Sequence, residues 1–195
     1  MKLILASSSP RRAEILRDAG IAFEVFASSI DESSCQGESA TDTVARLAEA
    51  KARAVVAQNN FAERNAVVIG ADTVVELDGR IFGKPLDAAN AREMLSALGG
   101  RTHHVLTGIF LLRVYDGAAR AVVESTAVTF ATMETGEIAD YILTGEPMDK
   151  AGSYAIQGIA GRYISRIDGC YFNVVGLPLA RLYSLLKELG WSTHT

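Results

Sequence analysis

A chain of 195 residues, 49% of them apolar, is long enough for one domain with a sizeable core, in one or two lobes, and too apolar for disorder. Its 23 acidic residues against 19 Lys and Arg leave a net charge of -4, which argues against non-specific binding to nucleic acid but leaves room for a small anion at a local basic cluster. No run approaches the roughly 18 consecutive apolar residues of a membrane span, and Leu3-Ile4-Leu5-Ala6 is too short for the apolar core of a secretion signal, so no membrane association is expected. Cys35 and Cys170 lie far apart without metal-ligand spacing, which fits a reduced, cytoplasmic protein.

Lys2 to Ala6 reads as a short buried strand, followed by Ser7-Ser8-Ser9-Pro10-Arg11-Arg12 and a helix to about Asp18. Ser9 suits the N-cap and Pro10 the first helical position. A strand, a small-residue loop and a helix N-terminus form an anion site, and two arginines are added here although they oppose the helix dipole. Arg12 shares the helix face of Ile15 and Leu16, so it points inward rather than plainly into solvent. Phosphate binding is one reading; an ordinary capped helix is the other.

Phe23 to Phe26 is β-prone, and Asp31-Glu32 follows in a polar loop, where two acids either face water or serve a metal. A helix from Thr41 to about Ala57 carries Lys51 on its apolar stripe, between Leu47 and Val55. That ammonium either snorkels outward or meets a phosphate in a polar cleft.

Val67 to Val75 is a hydrophobic strand interrupted by Gly70-Ala71-Asp72-Thr73. A carboxylate in such a run is costly to bury without a partner. It reads as a metal ligand or general base at a strand end, or as a cap on the next element. Asp78-Gly79 predicts a hairpin from this strand into Arg80-Ile81-Phe82. Gly83-Lys84-Pro85 ends it, with Pro85 stiffening the chain beside Lys84, and Asp87 caps a helix to about Leu98.

His103 to Val114 and Ala121 to Ala131 read as long strands joined through Asp116-Gly117. Consecutive strand residues face opposite sides, so His103-His104 is structural rather than a metal pair. Glu134 to Leu143 is a helix. Glu146 to Gly158 then crowds charged and small residues together with Gln157, whose amide suits a base edge such as uracil or thymine, or simply a surface turn. Ile164 to Ile167 and Tyr171 to Val175, around Asp168-Gly169, predict a second hairpin, and Pro178 starts the last helix.

The ordered set Leu5-Ala6-Ser7-x-Ser9-Pro10-Arg11-Arg12, Gly70-Ala71-Asp72-Thr73, Gly83-Lys84-Pro85, Asp149-Lys150-Ala151-Gly152-x-Tyr154-x-Ile156-Gln157-Gly158 and Gly176-Leu177-Pro178 resembles the Maf family over essentially the whole chain. The resemblance implies an α/β fold, with a long twisted mixed β-sheet flanked by helices and a cleft between two lobes, similar to the inosine-triphosphate pyrophosphatases. It implies a nucleoside triphosphate pyrophosphatase that releases a monophosphate and pyrophosphate, serves nucleotide-pool housecleaning and needs a divalent metal cation, Mg²⁺ or Mn²⁺. The matching positions are Ser9, Arg11, Arg12, Glu32, Lys51, Asp72, Thr73, Lys84 and Gln157. Asp72 is implied as proton acceptor and, with Glu32, as metal ligand. Lys51 and Lys84 are implied in catalysis, holding the phosphates with Ser9 and Arg12, while Arg11 either joins them or leans towards the base. Thr73 and Gln157 are expected to read the base.

Ile156-Gln157-Gly158 resembles the branch acting on dTTP and UTP rather than the sister branch acting on 7-methyl-GTP. A non-enzymatic nucleotide sensor of cell division is the alternative from another class. A homodimer is compatible with the resemblance, and the sequence leaves the oligomeric state open.

Overall fold

The computed structural model describes residues 1–33, 35, 37–59, 61 and 65–192. Strands β1 (Lys2–Ala6), β2 (Glu24–Val25), β3 (Ala66–Leu77), β4 (Arg80–Phe82), β5 (Thr102–Arg113), β6 (Ala119–Phe130) and β7 (Ile164–Asp168) form a seven-stranded sheet in the order β2-β1-β3-β5-β6-β7, with β4 paired to β3. The sheet is mixed: β1 runs parallel to β2 and β3, whereas β3–β4 and β6–β7 are antiparallel. Its helices are α1 (Pro10–Asp18), α2 (Ala40–Gln58), α3 (Ala88–Leu98), α4 (Thr135–Leu143), α5 (Tyr171–Val175) and α6 (Leu179–Glu188). No helix among the described residues is long and apolar enough to cross a membrane.

The chain divides into two compact units. The first comprises Met1–Asp72, Thr107–Glu124 and Gly176–Thr195; the second comprises Thr73–Leu106 and Ser125–Val175. In the first, α2 lays Ala48, Ala52 and Val55 against Ile4, Ala6, Val68, Phe110 and Leu112 of the sheet. Two glycines let that helix approach at backbone range. A Cβ on Gly70 of β3 would lie 2.0 Å from the Ala48 carbonyl oxygen, and one on Gly108 of β5 would lie 2.3 Å from that of Val44. The parallel register sets Ala6 against Gly70. The Ser7–Ser9 loop therefore leaves β1 at the level where β3 continues into Ala71 and Asp72. In the second unit, Val75, Leu77 and Phe82 pack with Met94, Leu95 and Leu98 of α3, Phe130, Tyr141 of α4 and Tyr154.

The Asp78-Gly79 turn forms as predicted: Leu77 pairs with Arg80, and both turn residues have positive φ, 53° and 79°. β3, however, is not interrupted at its acid. It runs unbroken through Asp72 and Thr73 for 12 residues, with Asp72 buried, so the reading of Asp72 as a cap does not hold.

The predicted second hairpin is also corrected. β7 forms, but Tyr171 to Val175 is the short helix α5. The N–H groups of Asn173 and Val174 donate to the Cys170 carbonyl at 3.1 and 3.3 Å. The Asn173 amide, fully buried, donates to the Val105 carbonyl at 2.8 Å and to Thr126 Oγ1 at 2.9 Å. A buried amide needs such partners, and that requirement overrides the β propensity of its neighbours.

Candidate active site

The loop after β1 presents the N-terminus of α1. Ser9 occupies the N-cap, but its side chain makes no capping bond; its N–H donates to Ser7 Oγ at 3.2 Å. Pro10 contributes no N–H. The Ser9 side chain thus does not cap this turn, and the positive end of a helix dipole favours an anion.

Arg12 is only 8% exposed. Its Nε donates to the Gly176 carbonyl at 2.8 Å, and its Nη1 donates to Ser7 Oγ and to the Ala71 carbonyl, both at 3.0 Å. The inward direction read from the helix face is correct, and these bonds add a role that the sequence does not announce. The guanidinium ties the β1–α1 loop to β3 one residue before Asp72, and to the segment leading into α6. Burial lowers its pKa, opposed by the attraction of Asp72 and of Glu32, and assisted by repulsion from half-buried Arg11. Arg11, Arg12, Glu32 and Asp72 thus share one electrostatic neighbourhood.

Lys51 contacts the two acids of this group. It is 6% exposed, so it has not snorkelled to the surface. Its Nζ lies 2.6 Å from Asp72 Oδ1 and 2.8 Å from Glu32 Oε1. Asp72 is 7% exposed, whereas the Glu32 side chain is half exposed. Two carboxylates about forty residues apart in sequence are held together by one ammonium from a third element. Glu32 is steadied from its own loop: Arg46 of α2 donates to the Ser33 carbonyl at 3.2 Å and forms a two-point pair with Glu38 at 2.6 and 2.7 Å. Asp31 instead accepts from the Ser33 N–H and hydroxyl at 2.9 and 2.5 Å. Among the described residues, no group of three or more His, Cys, Asp or Glu side chains could hold a metal. Two carboxylate oxygen donors do suit a hard cation whose remaining ligands are water and phosphate oxygens, the usual pattern for Mg²⁺.

Lys51→Met is expected to lower stability by about 3 kcal/mol, because Asp72 is then buried without its cation. The Lys51→Met/Asp72→Asn double variant should regain most of that loss. Thermal denaturation of the variants checks this, and equal melting points for the single variant and the wild type would rule it out.

Thr73, Lys84 and Gln157 belong to the second unit. Thr73 is half-buried in β3; Lys84 and Gln157 are exposed. The Gly83-Lys84-Pro85 and Asp149–Gly152 motifs meet there, since the Gly152 N–H donates to the Gly83 carbonyl at 3.0 Å. Gly152 has φ +67, and a Cβ on it would lie 2.8 Å from Val75 Cγ2. The histidines behave structurally, as expected. His103 is buried with Nε2 2.8 Å from Tyr154 Oη, and desolvation lowers its pKa to about 4; His104 is half exposed on the other side of β5.

Ser7, Arg46 and the carbonyl oxygens of Ala71 and Gly176 are the contributors that sequence reasoning missed. Ser7 stands in the quoted motif but has no feature separating it from Ser8. The carbonyls are invisible in principle, because every residue carries one.

Known proteins resemble this chain in sequence and in fold. The sequence model described as "Maf-like protein" matches residues 2–189. The dTTP/UTP pyrophosphatase of Symbiobacterium thermophilum is 48% identical over 194 residues, covering 100% of this chain and 97% of that protein. The dTTP/UTP pyrophosphatase of a Geobacillus species is 48% identical over 190 residues, covering 97% and 99%. Among solved structures, the Ham1 protein of Staphylococcus aureus superposes with a TM-score of 0.51 at 15% identity, over 97% of this chain and 100% of that one, which is a likeness of fold. With a family match running nearly end to end and relatives at almost half identity, the chain belongs to the Maf family.

Proposed function

We propose that the chain is a nucleoside triphosphate pyrophosphatase that hydrolyses dTTP and UTP to the monophosphate and pyrophosphate. The observation that carries this reading is the buried Asp72 carboxylate, held 2.6 Å from the Lys51 ammonium beside the Arg12-tied helix N-terminus. The names of the curated relatives support the choice of nucleotide.

The chemistry needs the polyphosphate charge neutralised, a water aligned with phosphorus and the leaving pyrophosphate stabilised. The Ser9 helix N-terminus, Arg11, Arg12, Lys51 and Lys84 supply positive charge and donors for the phosphates. Asp72, its rotamer fixed by Lys51, orients the attacking water and takes its proton as the new P–O bond forms. The bridging P–O bond breaks, and the pyrophosphate leaves with the electron pair. Glu32 and Asp72 would hold a divalent cation, Mg²⁺ or Mn²⁺, which when bound neutralises phosphate charge and polarises the oxygens it touches. Thr73 and Gln157 read the pyrimidine edge, the Gln157 amide donating to a carbonyl and accepting from the ring N–H.

The test is release of pyrophosphate from dTTP, UTP and 7-methyl-GTP, with Mg²⁺ and with chelator. The expected result is metal-dependent turnover of the two pyrimidine nucleotides above that of 7-methyl-GTP. Preference for 7-methyl-GTP would assign the chain to the sister activity. Binding without turnover at any metal concentration would make it a nucleotide sensor.

A further inference from the structure

Gln157 is exposed, yet its backbone is closely held. The Gly158 N–H donates to the Ala155 carbonyl at 3.1 Å, which closes a β-turn with Ile156 and Gln157 at its two central positions. Both ends of that turn are anchored on one pair of side chains. The Ala155 N–H donates to Tyr141 Oη at 3.3 Å, and the Ile159 N–H donates to Glu146 Oε2 at 3.0 Å. Tyr141 Oη in turn donates to Glu146 Oε1 at 2.8 Å. The anchors are themselves fixed. Tyr141 is fully buried on α4, and the Glu146 carbonyl accepts from Lys150 Nζ at 2.7 Å. Burial and the adjacent carboxylate raise the Tyr141 pKa, so its hydroxyl remains a donor. The turn also rests directly on the carboxylate: a Cβ on Gly158 would lie 2.3 Å from Glu146 Oε1.

We propose that Glu146, with Tyr141, is a positioning residue for nucleotide selectivity: it fixes the turn that presents Gln157 and so governs base choice without touching the nucleotide. The inference rests on the reading of Gln157 as the residue that meets the pyrimidine edge. Base recognition by one amide requires its backbone held to a fraction of an ångström, whereas the proton transfer assigned to Asp72 does not draw on this turn. Removing the carboxylate frees the Ile159 end and deprives Tyr141 of its acceptor. A glutamine at the same place can still accept from the Ile159 N–H and donate to Tyr141 Oη, so it should rescue the turn.

The experiment measures kcat and KM by pyrophosphate release with UTP and with ATP as a purine comparison, for Glu146→Ala, Glu146→Gln, Tyr141→Phe and Gln157→Ala. Glu146→Ala should lower the UTP-over-ATP ratio of kcat/KM about tenfold, mainly through KM for UTP. Glu146→Gln should stay within about twofold of wild type, with Tyr141→Phe in between. In a Gln157→Ala background, Glu146→Ala should lower the ratio no further, because both act through one amide. Equal losses for UTP and ATP, or a further fall of the ratio in the Gln157→Ala background, would overturn the positioning role. A wild-type ratio in Glu146→Ala with a collapsed ratio in Gln157→Ala overturns that role alone. A wild-type ratio in Gln157→Ala overturns the base-reading assignment and the positioning role with it. Melting curves accompany each variant, and if Glu146→Ala does not fold, Tyr141→Phe, which removes a single hydroxyl, carries the same test.

Discussion

Asp72→Asn is expected to lower the turnover of dTTP and UTP by about a thousandfold and to leave a folded protein. The magnitude is that of a positioned general base, which contributes roughly 10² to 10⁴ in rate. Asparagine preserves the size and shape of the side chain in β3, so packing against its neighbours is kept. It also leaves Lys51 an ionic partner, Glu32, at 2.8 Å. What the variant should lose is the capacity, proposed for Asp72, to take a proton from water. Pyrophosphate release under saturating nucleotide and Mg²⁺, alongside a circular dichroism spectrum, measures both halves of the expectation. Near-normal turnover in a folded Asp72→Asn protein would show that another group receives the proton.

Gly70→Ala should unfold the first unit more readily than any surface change, by about 3 kcal/mol. Alanine is ordinarily the better residue in a strand, because glycine loses more conformational freedom on folding. Here the added methyl carbon would stand 2.0 Å from the Ala48 carbonyl oxygen and 3.0 Å from Ala52 Cβ. The obstacle is helix backbone, which no rotamer change removes, so α2 must shift as a body. Lys51 stands between those two alanines in the sequence and must shift with them, away from a bond of 2.6 Å to Asp72. Stability and activity should therefore fall together, with a melting point lower by about 10 °C for a chain of this size. A melting point within about 2 °C of wild type would mean that the helix yields without cost, and that the close approach of α2 is not what brings the ammonium to the acid.

The two variants also separate what was legible in the sequence from what was not. Val67-Val68-Ile69 and Leu3-Ile4-Leu5 declared buried strands because β-branched and apolar runs of that length have few other homes, and the Asp78-Gly79 turn was readable from its own conformational demand. Asp72 was conspicuous because an acid there needs a partner. The partner was not derivable. Lys51 lies on an apolar stripe, and helical periodicity gives the face of a charge without saying whether it ends in solvent or against a carboxylate contributed by a distant strand. Arg12 shows the same limit more sharply. Its inward direction followed from Ile15 and Leu16, but two of its acceptors are main-chain oxygens, which leave no trace in residue identity. At Tyr171 to Val175 local propensity pointed the wrong way, since the deciding interactions belong to the buried Asn173 amide and reach strands far away in the chain. The roles of Thr73, Lys84 and Gln157 came from family resemblance, because an exposed side chain carries no packing signal by which its chemistry could be inferred.

The bond from Arg12 Nε to the Gly176 carbonyl spans 164 positions. Its consequence is temporal. During synthesis α2 and β3 follow soon after the β1–α1 loop, but the Gly176 acceptor is made 164 positions after Arg12. Contacts of such long sequence separation carry a large loop-closure cost and form late. A nascent chain can therefore pair β1 with β3 before the Gly176 carbonyl is there to accept from Arg12 Nε. The set of bonds that holds the backbone beside Asp72 is finished only after the segment around Gly176 has been made.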